Sequence, residues 1–242
     1  MPFLSSIKTN KKTRTYVLVA LASIMIGALM FGFLYDNVRE QNDVARLDGP
    51  TLTWMISHRT DAITTVMQAI TFIASPFVLA SLILGGSLIW AWRKRELWRP
   101  ALLIGAMGLA VATSSLIKQI VGRGRPPFGD MVLPLEIDFS FPSGHTIGIT
   151  VLMLVGGYLL YSRRPTIKTL VVWILATVFA VSLVAGSRLY LAYHWVTDVS
   201  ASIGLALIIL GIIILVDLFL KDKKVIIHHE TRLKNLNFTK NS

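Results

Sequence analysis

The chain has 242 residues, of which 54% are hydrophobic, with no cysteine and a formal charge of +11. The apolar residues fall in long blocks, which excludes an ordinary soluble core, and the lack of cysteine excludes disulfide frameworks, thiolate catalysis and thiolate metal sites. The bases cluster between the apolar blocks instead of along one surface, so no nucleic-acid partner is expected.

Residues 1–14 read as a basic N-terminus (Lys8, Lys11, Lys12, Arg14). The apolar run at 15–34 is too long for a signal peptide and has no cleavage-site pattern after it, so it is expected to remain as a first span. A hydrocarbon slab of roughly 30 Å takes about 20 helical residues to cross. Five further segments meet that length, at 75–92, 101–121, 145–162, 167–186 and 197–219. Threading the chain through six spans puts Arg93-Lys94-Arg95, Arg163-Arg164 and Lys221/Lys223/Lys224 on the side of the N-terminus. By the positive-inside rule that side is cytoplasmic, and both termini are inside.

The outer side then receives 35–74, 122–144 and 187–196, where Asp36, Glu40, Asp43, Asp48, Asp130, Glu136 and Asp138 offset the bases. Within the loop 35–74, Ile56, Ile63, Met67 and Ile70 recur at helical spacing from Trp54 to Ala74. They predict an amphipathic surface helix or an extension of the second span, which Pro76 opens. The tail, 221–242, is basic and polar, and its His228-His229 pair is not read as a metal site. Asp217 is read as interfacial.

Three polar stretches abut span ends on the outer side. In the first, Lys118 precedes Arg125-Pro126, and Gly122, Gly124 and Pro126 favour breaking the helix so that the two cations converge. Lysine supplies a compact charge and arginine a planar fork suited to phosphate oxygens, although snorkelling bases near a helix end look the same. In the second, Pro142-Ser143-Gly144-His145 opens the fourth span. Its first-turn N–H groups can face an anion with His145 placed for proton transfer; an ordinary capped turn is the alternative. In the third, His194 and Asp198 stand four residues apart after Ser187-Arg188. On a helix the carboxylate can hold one ring nitrogen while the other attacks, or the pair can simply cap the sixth span.

In order and spacing these stretches resemble the signatures of the type 2 phosphatidic acid phosphatase (PAP2) superfamily: K-x6-R-P, P-S-G-H and S-R-x5-H-x3-D. All three match without departure. The resemblance implies an all-α fold, a polytopic membrane protein with six transmembrane helices in a PAP2/haloperoxidase-like bundle over 15–220. It implies that Lys118, Arg125 and Arg188 bind the phosphoryl oxygens, with Ser143 and the Gly144 backbone completing the cradle. His194 would be the nucleophile that forms a phosphohistidine, Asp198 its orienting carboxylate and His145 the proton donor. Arg123 falls at an unspecified position. No metal and no cofactor are implied; the partners are a lipid phosphate, water and the bilayer of a bacterial plasma membrane, with the site on its extracytoplasmic face. Undecaprenyl pyrophosphate, phosphatidylglycerophosphate and phosphatidic acid are the expected substrates, with a slight lean to the diphosphate from topology. A transporter is the rival of another class, but its sites would lie near the midplane, whereas here the charges sit at span ends. The other rival is a relative that kept the fold without activity.

Overall fold

The computed structural model describes residues 11–42, 44–163 and 165–240, with side chains described as far as Lys221. The first ten residues and the side chains of the basic tail, on which the expectations for the two termini largely fall, lie outside the described residues. The chain runs through α1 (Lys11–Glu40), α2 (Asp48–Ser57), α3 (Asp61–Ile73), α4 (Pro76–Lys94), α5 (Trp98–Val121), α6 (Gly144–Tyr161), α7 (Ile167–Tyr190) and α8 (Val196–Lys240). All but α2 and α3 are long and apolar enough to cross a membrane. Their apolar stretches lie close to the six predicted spans, with α8 continuing beyond its span to Lys240, and the fold of the described residues is all-helical as expected.

α6 and α8 form the centre, where Val151, Val155, Leu159, Ala206 and Ile209 are buried. α1 lies against α8 through small residues. A Cβ added to Gly27 would meet the Gly204 carbonyl oxygen at 2.4 Å, and one added to Gly211 would meet that of Ala20 at 2.5 Å. Backbones approach this closely in membranes because small side chains let packing replace the hydrophobic drive between helices. α4 and α7 turn large apolar side chains outward, among them Phe77, Leu88, Leu175 and Phe179.

At the end of the bundle holding Arg93, Lys94 and Arg163, Asp217 departs from its interfacial reading. It is fully buried and accepts from Trp98 Nε1 (2.8 Å), Tyr158 Oη (2.6 Å) and Lys221 Nζ (2.6 Å). These donors satisfy a carboxylate that would otherwise be costly to bury.

At the opposite end, the expected surface helix from Trp54 to Ala74 is two helices, broken at His58–Thr60. Arg59 turns inward and donates from Nε to the Tyr190 carbonyl (2.8 Å) and from Nη1 to the Asp130 carbonyl (2.6 Å). The Thr60 hydroxyl then caps α3 by accepting from Ile63 N (3.3 Å). α3 is also separate from the second span, because Ser75 caps α4 and Pro76 occupies its first turn. Leu52 and Met55 of α2 and Met67 of α3 pack on Met131, Tyr190, Leu191 and Tyr193. The two short helices therefore cover the loops that carry the polar stretches.

Candidate active site

α5 ends where Gly122 adopts φ +61°, a left-handed conformation that suits glycine and turns the chain inward. Lys118 thus stands in the last turn, and Arg123 and Arg125 follow outside the helix. α6 starts at Gly144 with Ser143 as its cap: the Ser143 hydroxyl accepts from Thr146 N (3.4 Å) and from the Thr146 hydroxyl (3.0 Å). After α7, Ala192 takes the left-handed φ of +58°, and the backbone N–H groups of Tyr193 and His194 both reach the Arg188 carbonyl (2.9 and 3.3 Å). That turn folds His194 beneath the end of α7 and starts α8 with Asp198 in its first turn.

Lys118, Arg125, Gly144, His145 and His194 line one cavity of about 750 Å³. The five come from all three polar stretches of the sequence, two from the first, two from the second and one from the third, so the structure brings the three signatures together. Ser143 is fully buried in its cap and is not among the lining residues; Asp198 lies behind His194. Arg188 is 1% exposed, with its guanidinium carbon 4.4 Å above the Tyr193 ring and Nη1 donating to the Thr71 hydroxyl (2.6 Å). Its Nε has no hydrogen-bond partner among the described residues.

The tautomer of His194 follows from its neighbours. Arg125 Nη1 lies 3.2 Å from His194 Nε2, and a guanidinium only donates, so Nε2 is the acceptor. Nδ1 therefore carries the proton and donates to Asp198 Oδ2 at 3.3 Å. Burial first, and then the charges of Arg188, Arg125 and Lys118, hold the His194 imidazole well below its ordinary range. A neutral ring with an accepting Nε2 directed at a cationic cavity has the chemistry that nucleophilic attack on an anionic group requires.

Two acids of the outer loop stand in the centre of the site. Glu136 pairs with Arg125 Nη1 (2.7 Å) and with Arg188 Nη2, and Asp138 pairs with Lys118 Nζ (2.5 Å) and Arg125 Nη2. Burial works to raise the Asp138 carboxyl, but the hydrogen bonds from Lys118 and Arg125 prevail and hold it at about 2. Each cation that the resemblance assigned to phosphate is thus paired with a carboxylate of one loop. Their alternation, acid–Ile137–acid, is a sequence signal, since it puts both carboxylates on one side of an extended segment. Ile137 between them is 88% exposed. The donor set of two histidines among three cations suits an anion and not a metal cation.

Below this polar end the cavity continues along α4, α5 and α6 past Leu79, Ile83, Leu84, Ile104, Met107 and Val111. Leu84, Ile104 and Val111 are also exposed on the outside of the bundle, so the groove opens sideways between α4 and α5.

The sequence pattern of the PAP2 superfamily matches residues 99–220. Phosphatidylglycerophosphatase B of Bacillus subtilis (strain 168) is 35% identical over 147 residues, 60% of this chain and 70% of that protein. The crystal structure of the transmembrane PAP2-type phosphatidylglycerolphosphate phosphatase of Bacillus subtilis superposes with a TM-score of 0.70 at 27% identity, covering 79% of this chain and 96% of that one. LpxE of Aquifex aeolicus shares the fold, with a TM-score of 0.51 at 21% identity over 70% of this chain and 94% of its own.

Proposed function

This chain belongs to the PAP2 superfamily, and on that footing we propose that it is a lipid phosphatase, with phosphatidylglycerophosphate first among its substrates. The observation that carries the reading is the continuity of one cavity from the cationic end at Lys118, Arg125 and His194 to an apolar groove open sideways at Leu84, Ile104 and Val111. A lipid could keep its chains in the groove while its phosphate meets the cations. The order of preference among lipids follows the Bacillus subtilis matches in sequence and in structure, which are named for that substrate, and replaces the slight lean to a diphosphate.

In this reading the phosphoryl oxygens take over Lys118, Arg125 and Arg188 from Glu136 and Asp138, and the unpartnered Arg188 Nε gains an acceptor. Gly144, opening α6, adds the positive end of the helix. His194 Nε2 attacks phosphorus and the bond to the lipid oxygen breaks, with protonated His145 giving that oxygen its proton. Asp198 stabilises the imidazolium as charge develops on His194. Water then loses a proton to His145 and attacks the phosphohistidine, and inorganic phosphate leaves. Fixed positive charge around the transferred group supplies the main acceleration in such transfers. Ser143 acts as the cap that fixes where α6 begins.

Arg93, Lys94 and Arg163 lie at the end opposite the site, so we place the site on the extracytoplasmic face and both termini in the cytoplasm. Because the chain lacks cysteine, single substitutions test this cleanly: in intact cells an impermeant maleimide should label Thr53→Cys and spare Lys168→Cys. The substrate is tested by phosphate release from the purified protein with phosphatidylglycerophosphate, phosphatidic acid, diacylglycerol pyrophosphate and undecaprenyl pyrophosphate. The highest kcat/KM should fall on the first, and no release from any of them would refute the reading.

A further inference from the structure

We infer that Arg123 and Asp48 are positioning residues for the His194–Asp198 pair, an inference that rests on the phosphatase reading above. Neither residue touches the cavity. Arg123 instead lies on the far side of Asp198, with Nη1 donating to Asp198 Oδ1 (2.5 Å) and to the Thr197 hydroxyl (2.7 Å), and its guanidinium carbon 5.6 Å from the Trp195 ring centre. Nη2 donates to Asp48 Oδ2 (2.6 Å). Asp48, 5% exposed in the first turn of α2, also accepts from Thr197 N (3.1 Å) and the Thr197 hydroxyl (2.8 Å).

The arrangement gives the two oxygens of Asp198 separate duties. Oδ1 is held by Arg123, while Oδ2 accepts from Trp195 N (3.0 Å) and faces His194 Nδ1. The carboxylate therefore has one rotation available, the one that fixes the His194 tautomer with Nε2 toward substrate. Charge is divided in the same way. A fully buried carboxylate needs a nearby cation to stay ionised, and Arg123 is the cation in contact with it. A guanidinium spent wholly on Asp198 would weaken the field that Asp198 must present to the imidazolium formed during attack. Asp48 takes the other arm of the fork and shares that charge. The first Arg of Gly-Arg-Gly-Arg thus serves the nucleophile from behind, while the second, two residues on, serves the substrate from the front.

The variant at Arg123 can be tested by chemical rescue, because a cleft of about 400 Å³ beside Tyr35, Val38, Arg39 and Gly124 reaches it from the α1 side. Arg123→Ala should lower kcat about 100-fold, as expected for a slightly misplaced reacting group, with KM within about twofold of the parent. Millimolar guanidinium should restore at least a tenfold part of that loss, and Arg123→Lys should fall between the two. Asp48→Asn should lower kcat about tenfold with KM again unmoved. Turnover of Arg123→Ala equal to the parent's, a loss confined to KM, or no recovery with either guanidinium or lysine would overturn the inference. If the alanine variant does not accumulate in membranes, Arg123→Lys and Asp48→Asn decide by the same split between kcat and KM. Failure of the parent protein itself to release phosphate from any lipid would instead refute the phosphatase reading.

Discussion

Arg125 and Glu136 form an ion pair of 2.7 Å across the mouth of the cavity, in the position where a substrate phosphate would meet the same guanidinium. A tethered carboxylate competes with any anion for that place, and the apparent affinity falls by the fraction of time the site is so occupied. Glu136→Gln combined with Asp138→Asn should therefore strengthen competitive inhibition by inorganic phosphate about tenfold. Weaker inhibition in that double variant would show that the loop acids assist phosphate binding instead of opposing it.

The pH dependence follows from His194. In the proposed mechanism it attacks as the free base, and burial holds its pKa below the usual imidazole value of about 6.5. A lowered pKa keeps the ring deprotonated as pH falls through that value, so activity persists there and is lost only further down. Corrected for ionisation of the substrate, the acid limb of kcat/KM should lie below 6.5; a limb at or above it would contradict the burial argument.

Removing the proposed nucleophile should separate chemistry from folding. His194→Ala should assemble in membranes, bind inorganic phosphate, and show no measurable turnover. Asp198→Asn keeps the shape but loses control of the tautomer, a change that costs on the order of 10⁴-fold in a comparable catalytic dyad. Normal turnover by the His194 variant would eliminate the phosphohistidine route.

In the proposed mechanism fixed cations carry out the charge neutralisation for which many phosphatases use metal. Full phosphate release in excess EDTA, with no gain on adding magnesium, is the expected outcome. Loss in EDTA with recovery in magnesium would require a metal in the reaction.

Packing of the first span can be tested away from the chemistry. Gly27→Val would drive side-chain atoms into the Gly204 carbonyl and Ile208. An overpacked interface typically costs about 1–3 kcal/mol, so the melting temperature in detergent should fall by several degrees. Gly85→Val, where an added Cβ meets nothing within 4 Å, is the control and should leave it unmoved.

The parts of this molecule that could be read without coordinates are those encoded locally. An apolar run announces a span by its length, and Lys118, Arg125, His145 and His194 announce themselves by residue type at fixed spacings. What escaped depends on partners far along the chain. The break at Arg59 comes from carbonyls of Asp130 and Tyr190, 71 and 131 residues away. Asp48 reaches Thr197 across 149 residues, and nothing near position 48 marks it as different from the other outer acids. Glu136 and Asp138 were visible as charges, but their pairing with the cradle depends on how the loop closes over α5 and α7.

The contact of Asp48 with Arg123 and Thr197 also limits how this scaffold could be re-engineered. The covering helices look like a module that could be exchanged between related proteins to change lipid preference. A graft replacing residues 41–75 would take Asp48 with it and deprive Arg123 of its second carboxylate, so a donor segment must bring a carboxylate to that position for the hybrid to keep the parent's kcat.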